Sequence, residues 1–148
     1  MSVTYKNGDI LNAPEPYICH QVNCMGVMGA GLAKQIRERW PAVYDVYKLR
    51  ANSDVLGKIT LVNIQNGDHI TSVINMFAQN DYGRDRRYTS YDAFWCCLGE
   101  IREKIPKGGA LAFPSHIGCG LGGGNWKVIE SMIIAALGDD YEIVFYTP

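Results

Sequence analysis

Segments typical of β-strands alternate with segments typical of helices along the whole of this 148-residue chain. Apolar runs predict strands at residues 3–6, 17–22, 59–65, 69–77, 110–113 and 141–146. Helical patterns occupy residues 31–40, 42–50, 90–105 and 126–137. Strands interleaved with helices favour an α/β fold in which helices cover both faces of one sheet.

Local signals refine this outline. Asn66-Gly67 lies between two strand runs and tolerates the positive φ of a tight hairpin turn, so one strand pair should be antiparallel and the sheet mixed. Pro41 should separate the first two helices, and Ser90 is expected to cap the third. Residues 79–89 are polar, contain three arginines and are expected to form a loop, called the arginine loop below.

Composition limits the class of protein. Hydrophobic residues make up 47% and charged residues 20% of the chain, a balance typical of a globular domain, and residues 1–148 are expected to form one domain. The formal charge of −1 argues against a strongly basic nucleic-acid binder. The five cysteines include an adjacent pair, and neither a signal-peptide pattern nor a membrane-length apolar run is visible, so a cytoplasmic protein is expected.

Two glycine-rich stretches each follow a predicted strand and precede a predicted helix. The first glycine loop comprises residues 23–31, and the second glycine loop comprises residues 114–124. Glycine lets backbone amides approach a ligand closely, and a helix N-terminus adds partial positive charge, so such loops suit phosphate. The pair predicts a diphosphate held from two sides, at the carboxyl ends of the central strands; the alternative is two tight turns.

Neither glycine loop fits a standard nucleotide fingerprint. The chain lacks the glycine-rich P-loop motif that ends in Lys and Ser or Thr. The first glycine loop follows the second predicted strand, whereas the glycine-rich turn of a dinucleotide-binding domain follows the first. A P-loop is therefore excluded, and a dinucleotide-binding domain has little support.

Four stretches in order along the chain resemble the macro domain family, which binds ADP-ribose. They are Gly8-Asp9-Ile10, residues 20–33, residues 114–121 and residues 144–148. The resemblance is nearest to the compact branch that holds the terminal ADP-ribose protein glycohydrolase, the yeast-type ADP-ribose 1''-phosphate phosphatase and phage and bacterial relatives. It implies a three-layer α/β/α domain with a mixed central sheet.

The resemblance also implies roles for individual residues. Asp9 and Ile10 match the pair that faces adenine, and Tyr146 matches an aromatic residue near the base. Asn23 matches an asparagine near the distal ribose, which we group with the catalytic residues. The first loop around that ribose and its phosphate corresponds to Gly29, Ala30 and Gly31, and the loop that wraps the diphosphate corresponds to Ser115, Ile117, Gly118, Cys119, Gly120 and Leu121.

Two departures from the glycohydrolase pattern bear on catalysis. The position of its catalytic lysine aligns with Met76, and that of its second-loop aspartate aligns with Gly122. His20 instead matches a histidine proposed as catalytic in the phosphatase-like branch. His20 is therefore either a group that moves a proton or a satisfied histidine of the core.

The sequence leaves two interpretations open for several other residues. His116 is either structural or a ligand contact, and Cys119 is either a nucleophile or a small packed residue. The arginine loop is either solvated or a lid that meets phosphate, and Asp81 within it is a candidate acid or base. Trp40 and Trp126 are expected to pack in the core.

The resemblance favours hydrolysis of ADP-ribose 1''-phosphate to ADP-ribose and phosphate. One alternative is a non-catalytic reader or sponge of ADP-ribose or a related cyclic nucleotide signal. Another is an ADP-ribosyl hydrolase that acts on modified protein or nucleic acid. The expected partner is ADP-ribose or a derivative, with nucleic acid only where it is ADP-ribosylated. No membrane, metal or cofactor is expected, and the protein is expected to be a monomer.

Overall fold

A mixed sheet of six strands organises the computed structural model, which describes residues 2–148. The strands are β1 (Val3–Asn7), β2 (Tyr17–Asn23), β3 (Ile59–Asn66), β4 (His69–Gln79), β5 (Ala110–Pro114) and β6 (Glu142–Thr147). Their order is β1-β6-β5-β2-β4-β3, and every neighbouring pair is parallel except β3 and β4. The predicted mixed sheet is confirmed.

Helices cover both faces of this sheet. They are α1 (Gly31–Arg39), α2 (Pro41–Arg50), α3 (Tyr91–Lys104) and α4 (Trp126–Leu137), and short 3-10 helices occupy Ile10–Asn12 and Ser53–Val55. One apolar cluster joins the sheet to α1 and α2, and a second joins it to α3 and α4. The α/β fold with three layers is therefore confirmed.

Helix boundaries follow the local signals. Pro41 is the first residue of α2, and Trp40, buried in the core, separates it from α1. The Ser90 hydroxyl accepts a hydrogen bond from the Ala93 amide at the start of α3, as the sequence predicts. No helix in residues 2–148 is both long and apolar enough to cross a lipid bilayer.

The hairpin turn lies one residue later than the Asn66-Gly67 prediction. Asn66 pairs with His69, so the two loop residues are Gly67 and Asp68, and the positive φ of 65° belongs to Gly67. The buried Asn66 side chain donates a hydrogen bond to the Leu11 carbonyl at 3.1 Å. This bond and the strand pairing hold Asn66 inside β3, and glycine takes the left-handed position.

The parallel strands bring four connections to one edge of the sheet. Residues 8–16 follow β1, residues 24–30 follow β2, residues 80–90 follow β4, and residues 115–125 follow β5. Because these strands run in the same direction, their carboxyl ends lie side by side. Both glycine loops and the arginine loop therefore meet at this edge.

A glycine in the middle of α3 provides a test of the helix assignment. Gly99 is exposed, and a Cβ built there meets no heavy atom within 4 Å. We expect Gly99→Ala to raise the free energy of unfolding by about 0.5–1 kcal/mol, because alanine restricts the unfolded chain. Urea denaturation measures this. Gly57→Ala is the matched control, since Gly57 has φ +88° and a Cβ there would lie 3.1 Å from the Cys96 Cβ. A rise in the free energy of unfolding for Gly57→Ala, or no rise for Gly99→Ala, contradicts the helix assignment.

Candidate functional site

Two adjoining cavities open at the carboxyl edge of the sheet. The first cavity has a volume of about 440 Å³ and the second about 500 Å³. The first lies among the first glycine loop, the ends of β2 and β4 and the tip of the arginine loop; the second lies between the start of α1 and the second glycine loop. Both are lined by Gln21, Ala30, Ala33, Gln79 and Leu121. Together they have the size of a site for a nucleotide-like ligand.

Free backbone amides characterise the second glycine loop. Internal backbone hydrogen bonds hold the shape of the loop, among them those from Cys119 N to the His116 carbonyl at 2.9 Å and from Gly124 N to the Gly118 carbonyl at 2.8 Å. Within residues 2–148, the amides of Gly118, Gly120 and Leu121 donate to no acceptor. All three residues line the second cavity, which therefore offers unpaired donors to an anion.

The start of α1 forms the opposite wall of the second cavity. Ala30 occupies the N-cap position without a side-chain cap, and Gly31, Leu32 and Ala33 of the first turn line the cavity. Uncapped first-turn amides and the helix dipole give this wall partial positive charge. The helix after the second glycine loop differs, because the Asn125 side chain caps α4 at the Val128 amide. Both walls of the second cavity thus present backbone donors, and the grip on a diphosphate from two sides stays a prediction.

Three glycines of the second loop have different surroundings. Gly118 has φ +75°, and a Cβ there would lie 2.8 Å from Gln21 Oε1. A Cβ at Gly122 would lie 2.5 Å from Thr89 Oγ1 and 2.8 Å from the Gly118 carbonyl. A Cβ at Gly120, by contrast, meets nothing within 4 Å. Gly118 and Gly122 are therefore required by packing, whereas the space beside Gly120 is open.

A chain of polar side chains links the cavities to the loops. Gln21 Nε2 donates to Gln79 Oε1 at 2.7 Å and to Thr89 Oγ1 at 2.8 Å. The Thr89 hydroxyl donates to the Gly118 carbonyl at 2.7 Å, and Gln79 Nε2 donates to the Asp81 carbonyl at 2.8 Å. These bonds fix the second glycine loop and the arginine loop to the ends of β2 and β4.

His20 is buried beside the second cavity. Its Nε2 lies 2.5 Å from Asn75 Oδ1, and Asn75 in turn donates through Nδ2 to the Thr60 hydroxyl at 3.1 Å. Because the Asn75 oxygen accepts, Nε2 carries the proton and Nδ1 is left as an unpaired acceptor. Burial lowers the pKa of His20 to about 4, so the ring is neutral at pH 7.

The buried neutral ring makes stability depend on pH. The unfolded chain binds a proton at His20 near pH 6.5, whereas the folded chain does so only near pH 4. The contribution of the neutral His20 ring to the free energy of unfolding is therefore fully present above pH 6.5, and it is lost as the pH falls from 6.5 towards 4. We expect a loss of roughly 3 kcal/mol across that window, and His20→Asn should remove it. Urea denaturation at several pH values for both proteins measures the difference; parallel curves contradict the buried neutral ring.

Asn23 supports the first glycine loop. Its Nδ2 donates to the Val27 carbonyl at 2.8 Å, and its Oδ1 accepts from the Met25 amide at 3.0 Å and from the Tyr47 hydroxyl at 2.7 Å. Asn23 also lines the first cavity, together with Gly29 of the same loop. The structure thus gives Asn23 a structural role, and its expected position near the distal ribose stays a prediction.

The residues assigned to adenine lie outside both cavities. The Asp9 carboxylate accepts from the Leu11 amide at 2.9 Å and caps the 3-10 helix, and Ile10 is buried. Tyr146 is also buried, and its hydroxyl donates to the carboxylate of Glu15, itself buried. Tyr146 nevertheless lies next to the second glycine loop, because its carbonyl accepts from the Ser115 amide at 2.8 Å. Their contact with adenine stays a prediction.

The remaining second-loop residues divide between cavity and core. Ser115 lines the second cavity, and its hydroxyl lies 2.8 Å from His116 Nδ1. Ile117 lines the same cavity but is 4% exposed and packs in the core. Cys119 lines neither cavity, and burial raises the pKa of its thiol, so packing rather than nucleophilic attack suits it.

His116 has an unusual conformation. Its φ is +62°, a left-handed value that is uncommon for residues other than glycine. Its ring stacks on Trp126 with the centroids 5.1 Å apart, and Trp126 contacts Phe145 edge-on at 5.2 Å. The packing predicted for Trp126 is confirmed, and His116 lines the second cavity from a fixed position.

The strand position that reaches the cavities is Gln79 rather than Met76. Met76 is fully buried in the core beside α3 and lies in neither cavity. A bulge between β2 and β4 pairs Asn23 with Gln79, and Gln79 lines both cavities. Met76 therefore lies in the core rather than in either cavity, and its alignment with the catalytic lysine of the glycohydrolase stays a prediction. Neither glutamine nor Gly122 supplies the lysine or aspartate chemistry of a glycohydrolase.

The arginine loop closes over the first cavity. Gln79 and Thr89 bridge its two ends, and the Gly122 carbonyl accepts from the Tyr88 and Thr89 amides at 2.8 and 3.0 Å. The tip of the loop lines the cavity with Tyr82, Gly83 and Arg84. Asp81 lines neither cavity and accepts from the Tyr82 amide, so its proposed acid or base role has no geometric support.

The sequence analysis missed Gln21, Gln79 and Thr89. The available signal was the position of Gln21 and Gln79 at the carboxyl ends of two predicted strands, where ligand sites of α/β sheets form. Thr89 carried no such signal, because its role depends on the bridge to Gln79.

Known proteins are similar to this chain over nearly its whole length. The macrodomain of Mycobacterium tuberculosis DarG superposes with a TM-score of 0.81 at 27% identity, covering 99% of this chain and 98% of that one. A DNA ADP-ribosyl glycohydrolase of M. tuberculosis (strain ATCC 25618 / H37Rv) is 27% identical over 150 residues, or 99% of this chain. An uncharacterized 17.5 kDa protein from the tk-vs intergenic region of Enterobacteria phage T4 is 31% identical over 142 residues, covering 90% of this chain and 88% of the phage protein. No protein-family model matches the chain.

The fold and the paired cavities define an α/β ligand-binding domain with two glycine loops at one edge of its sheet. The structural similarity extends over 99% of the chain. The chain belongs to the macrodomain family, as the sequence motifs indicated. It spans 42% of the length of the mycobacterial glycohydrolase.

Proposed function

We propose that the chain binds ADP-ribose across the two cavities and hydrolyses ADP-ribose 1''-phosphate to ADP-ribose and phosphate. The observation that carries the proposal is the second cavity, where free amides of the second glycine loop face the uncapped start of α1. A diphosphate needs several donors without bulk, and this cavity provides them. The name of the mycobacterial relative, a DNA ADP-ribosyl glycohydrolase, supports an ADP-ribosyl ligand.

The adenine and the distal ribose would lie on opposite sides of the bound diphosphate. Asp9 has one carboxylate oxygen that remains an acceptor for the adenine amino group after the bond to Leu11 N. The distal ribose would enter the first cavity, which Asn23, Gln79 and Gly29 line. The combined volume of the cavities accommodates the diphosphate and this ribose.

Hydrolysis would place water against phosphorus and break the bond between phosphorus and the ribose oxygen. His20 is neutral and lines the second cavity, and its unpaired Nδ1, which is buried in this structure, would take a proton from the attacking water once ligand binding exposes it. Its low pKa then favours return of that proton to the departing ribose oxygen. The free amides of the second glycine loop would hold the diphosphate and so position the distal phosphate for this attack.

A non-catalytic reader of ADP-ribose is the second candidate. Two observations favour it: His20 Nδ1 is itself buried, and the position of Gly122 leaves no space for a side chain. The chain therefore cannot place an acidic group where the glycohydrolase pattern requires one. Binding alone needs only the amides and the cavities.

Incubation with ADP-ribose 1''-phosphate, followed by detection of free phosphate, tests the proposal. Phosphate release that saturates with substrate supports the phosphatase. Binding of ADP-ribose without phosphate release supports the reader. ADP-ribosylated protein and ADP-ribosylated DNA serve as further substrates, and release of ADP-ribose from either would replace the phosphatase with an ADP-ribosyl hydrolase.

A further inference from the structure

We propose that Arg84 determines specificity by recognising an anionic group on the distal ribose of the ligand. The site then prefers ADP-ribose that carries a further phosphate over ADP-ribose itself. This inference rests on the proposed function, because it assigns the distal ribose to the first cavity. It adds a recognition residue that the family resemblance does not supply, since the arginine loop lies outside the matching motifs.

Arg84 is the sole Lys, Arg, Asp or Glu that lines either cavity within residues 2–148. It stands at the tip of the arginine loop, beside Tyr82 and Gly83, and faces the first cavity. The other polar side chains of that cavity are the neutral amides of Asn23, Gln21 and Gln79 and the phenol of Tyr82. No carboxylate in the lining repels an anion, so the charge of the first cavity is positive.

The other arginines of the loop are engaged elsewhere. Arg86 forms an ion pair with Asp85 at 3.8 Å, and its guanidinium lies 5.4 Å from the centre of the Tyr88 ring. The Arg87 guanidinium lies 4.3 Å from the centre of the Tyr91 ring. Arg84 has no ion pair within residues 2–148. The arginine that lines the cavity is thus the one of the three without an ion pair or an aromatic partner.

The loop holds Arg84 in place from both ends. At one end, the Cys24 amide donates to the Gln79 and Asn80 carbonyls at 3.1 and 3.0 Å. At the other end, the Gly122 carbonyl accepts two amides, as described above. Inside the loop, the Tyr88 hydroxyl donates to the Asp85 carboxylate. These bonds anchor the two ends of the loop, and Arg84, which is exposed, lies at the tip between them.

Charge complementarity identifies the ligand group. The free amides of the second cavity suit a diphosphate, and the first cavity adjoins the second through their shared lining residues Ala30 and Leu121. A guanidinium in the adjoining first cavity can bind a second phosphate with two parallel hydrogen bonds. A phosphate on the distal ribose lies one sugar away from the diphosphate and so reaches this cavity.

Calorimetric titration with ADP-ribose and with ADP-ribose 1''-phosphate tests the inference. We expect Arg84→Gln to weaken binding of the phosphorylated ligand by roughly tenfold to a hundredfold, the range for a lost bond between charged groups. Binding of ADP-ribose should change by no more than about twofold, because its distal ribose carries no anionic group for Arg84 to bind. The difference between the effects of Arg84→Gln on the two ligands should shrink in high salt, because salt screens the charge of the guanidinium. If the wild-type protein releases phosphate during the titration, kcat/KM for phosphate release is compared between the wild type and the variant instead of the affinity for ADP-ribose 1''-phosphate.

Arg86→Gln is the matched control, since it removes the same charge from the same loop without changing a cavity residue. It should bind both ligands as the wild type does. Equal effects of Arg84→Gln on both ligands, or equal effects of the two variants, overturn the role of Arg84 while ADP-ribose binding stands. If the wild type binds neither ligand, the proposed function fails and this inference fails with it.

Discussion

Gly120→Val should abolish ADP-ribose binding and leave the fold and the melting temperature unchanged. Gly120 lines the second cavity, and a Cβ built on it meets no heavy atom within 4 Å. The branched side chain therefore enters the space that the diphosphate needs without a clash inside the protein. Loss of the diphosphate contacts should reduce affinity by on the order of a thousandfold, which corresponds to roughly 4 kcal/mol. Calorimetry measures the affinity, and circular dichroism measures the melting temperature.

Gly118→Val provides the contrast. Gly118 has φ +75°, and its Cβ would lie 2.8 Å from Gln21 Oε1 and 3.1 Å from Ile129 Cδ1. We expect this variant to lower the melting temperature as well as the affinity, because the left-handed backbone and the packing both exclude valine. If Gly120→Val binds ADP-ribose normally, the second glycine loop is a tight turn and no more.

His20→Ala should slow phosphate release by about a hundredfold or more, the usual scale for a general acid–base group. The affinity for the product ADP-ribose should change far less, since the amides of the second glycine loop are untouched. The melting temperature should fall by several degrees, because the Asn75 oxygen loses its buried donor. Initial rates, calorimetry and thermal unfolding on one variant separate these effects.

Asn75→Ala is the control for this prediction. It removes the same hydrogen bond between Nε2 and the amide oxygen, yet it leaves the imidazole beside the second cavity. Phosphate release by this variant should stay well above that of His20→Ala. If both variants lose stability and turnover to the same extent, His20 is a histidine of the core that takes no part in proton transfer.

The sequence predicted elements and loops well because their signals are local. Ser90 and Pro41 act within one helical turn, and each lies where the sequence placed it. The glycine loops were visible because glycines cluster after a strand, and parallel strands bring such segments to one edge. The hairpin register differed by one residue, since it depends on the distant bond from Asn66 to Leu11.

The inner surface of the site could not be predicted in the same way. Which residue of β4 reaches the cavities depends on the bulge that pairs Asn23 with Gln79, and a bulge has no clear sequence signal. The network from Gln21 to Thr89 joins residues 68 positions apart. The crowding at Gly122 likewise arises from Thr89, which is distant in sequence. The strand residue that reaches the cavities therefore had to be located in three dimensions.

Calorimetric titration of ADP-ribose into the wild-type protein tests the central claim most directly. The free amides and the uncapped start of α1 suit an anionic ligand, so we expect one molecule of ADP-ribose to bind per chain. Adenosine, which lacks the diphosphate, should bind far more weakly in the same experiment. The absence of heat from ADP-ribose at millimolar concentration, or equal binding of adenosine, would contradict the account.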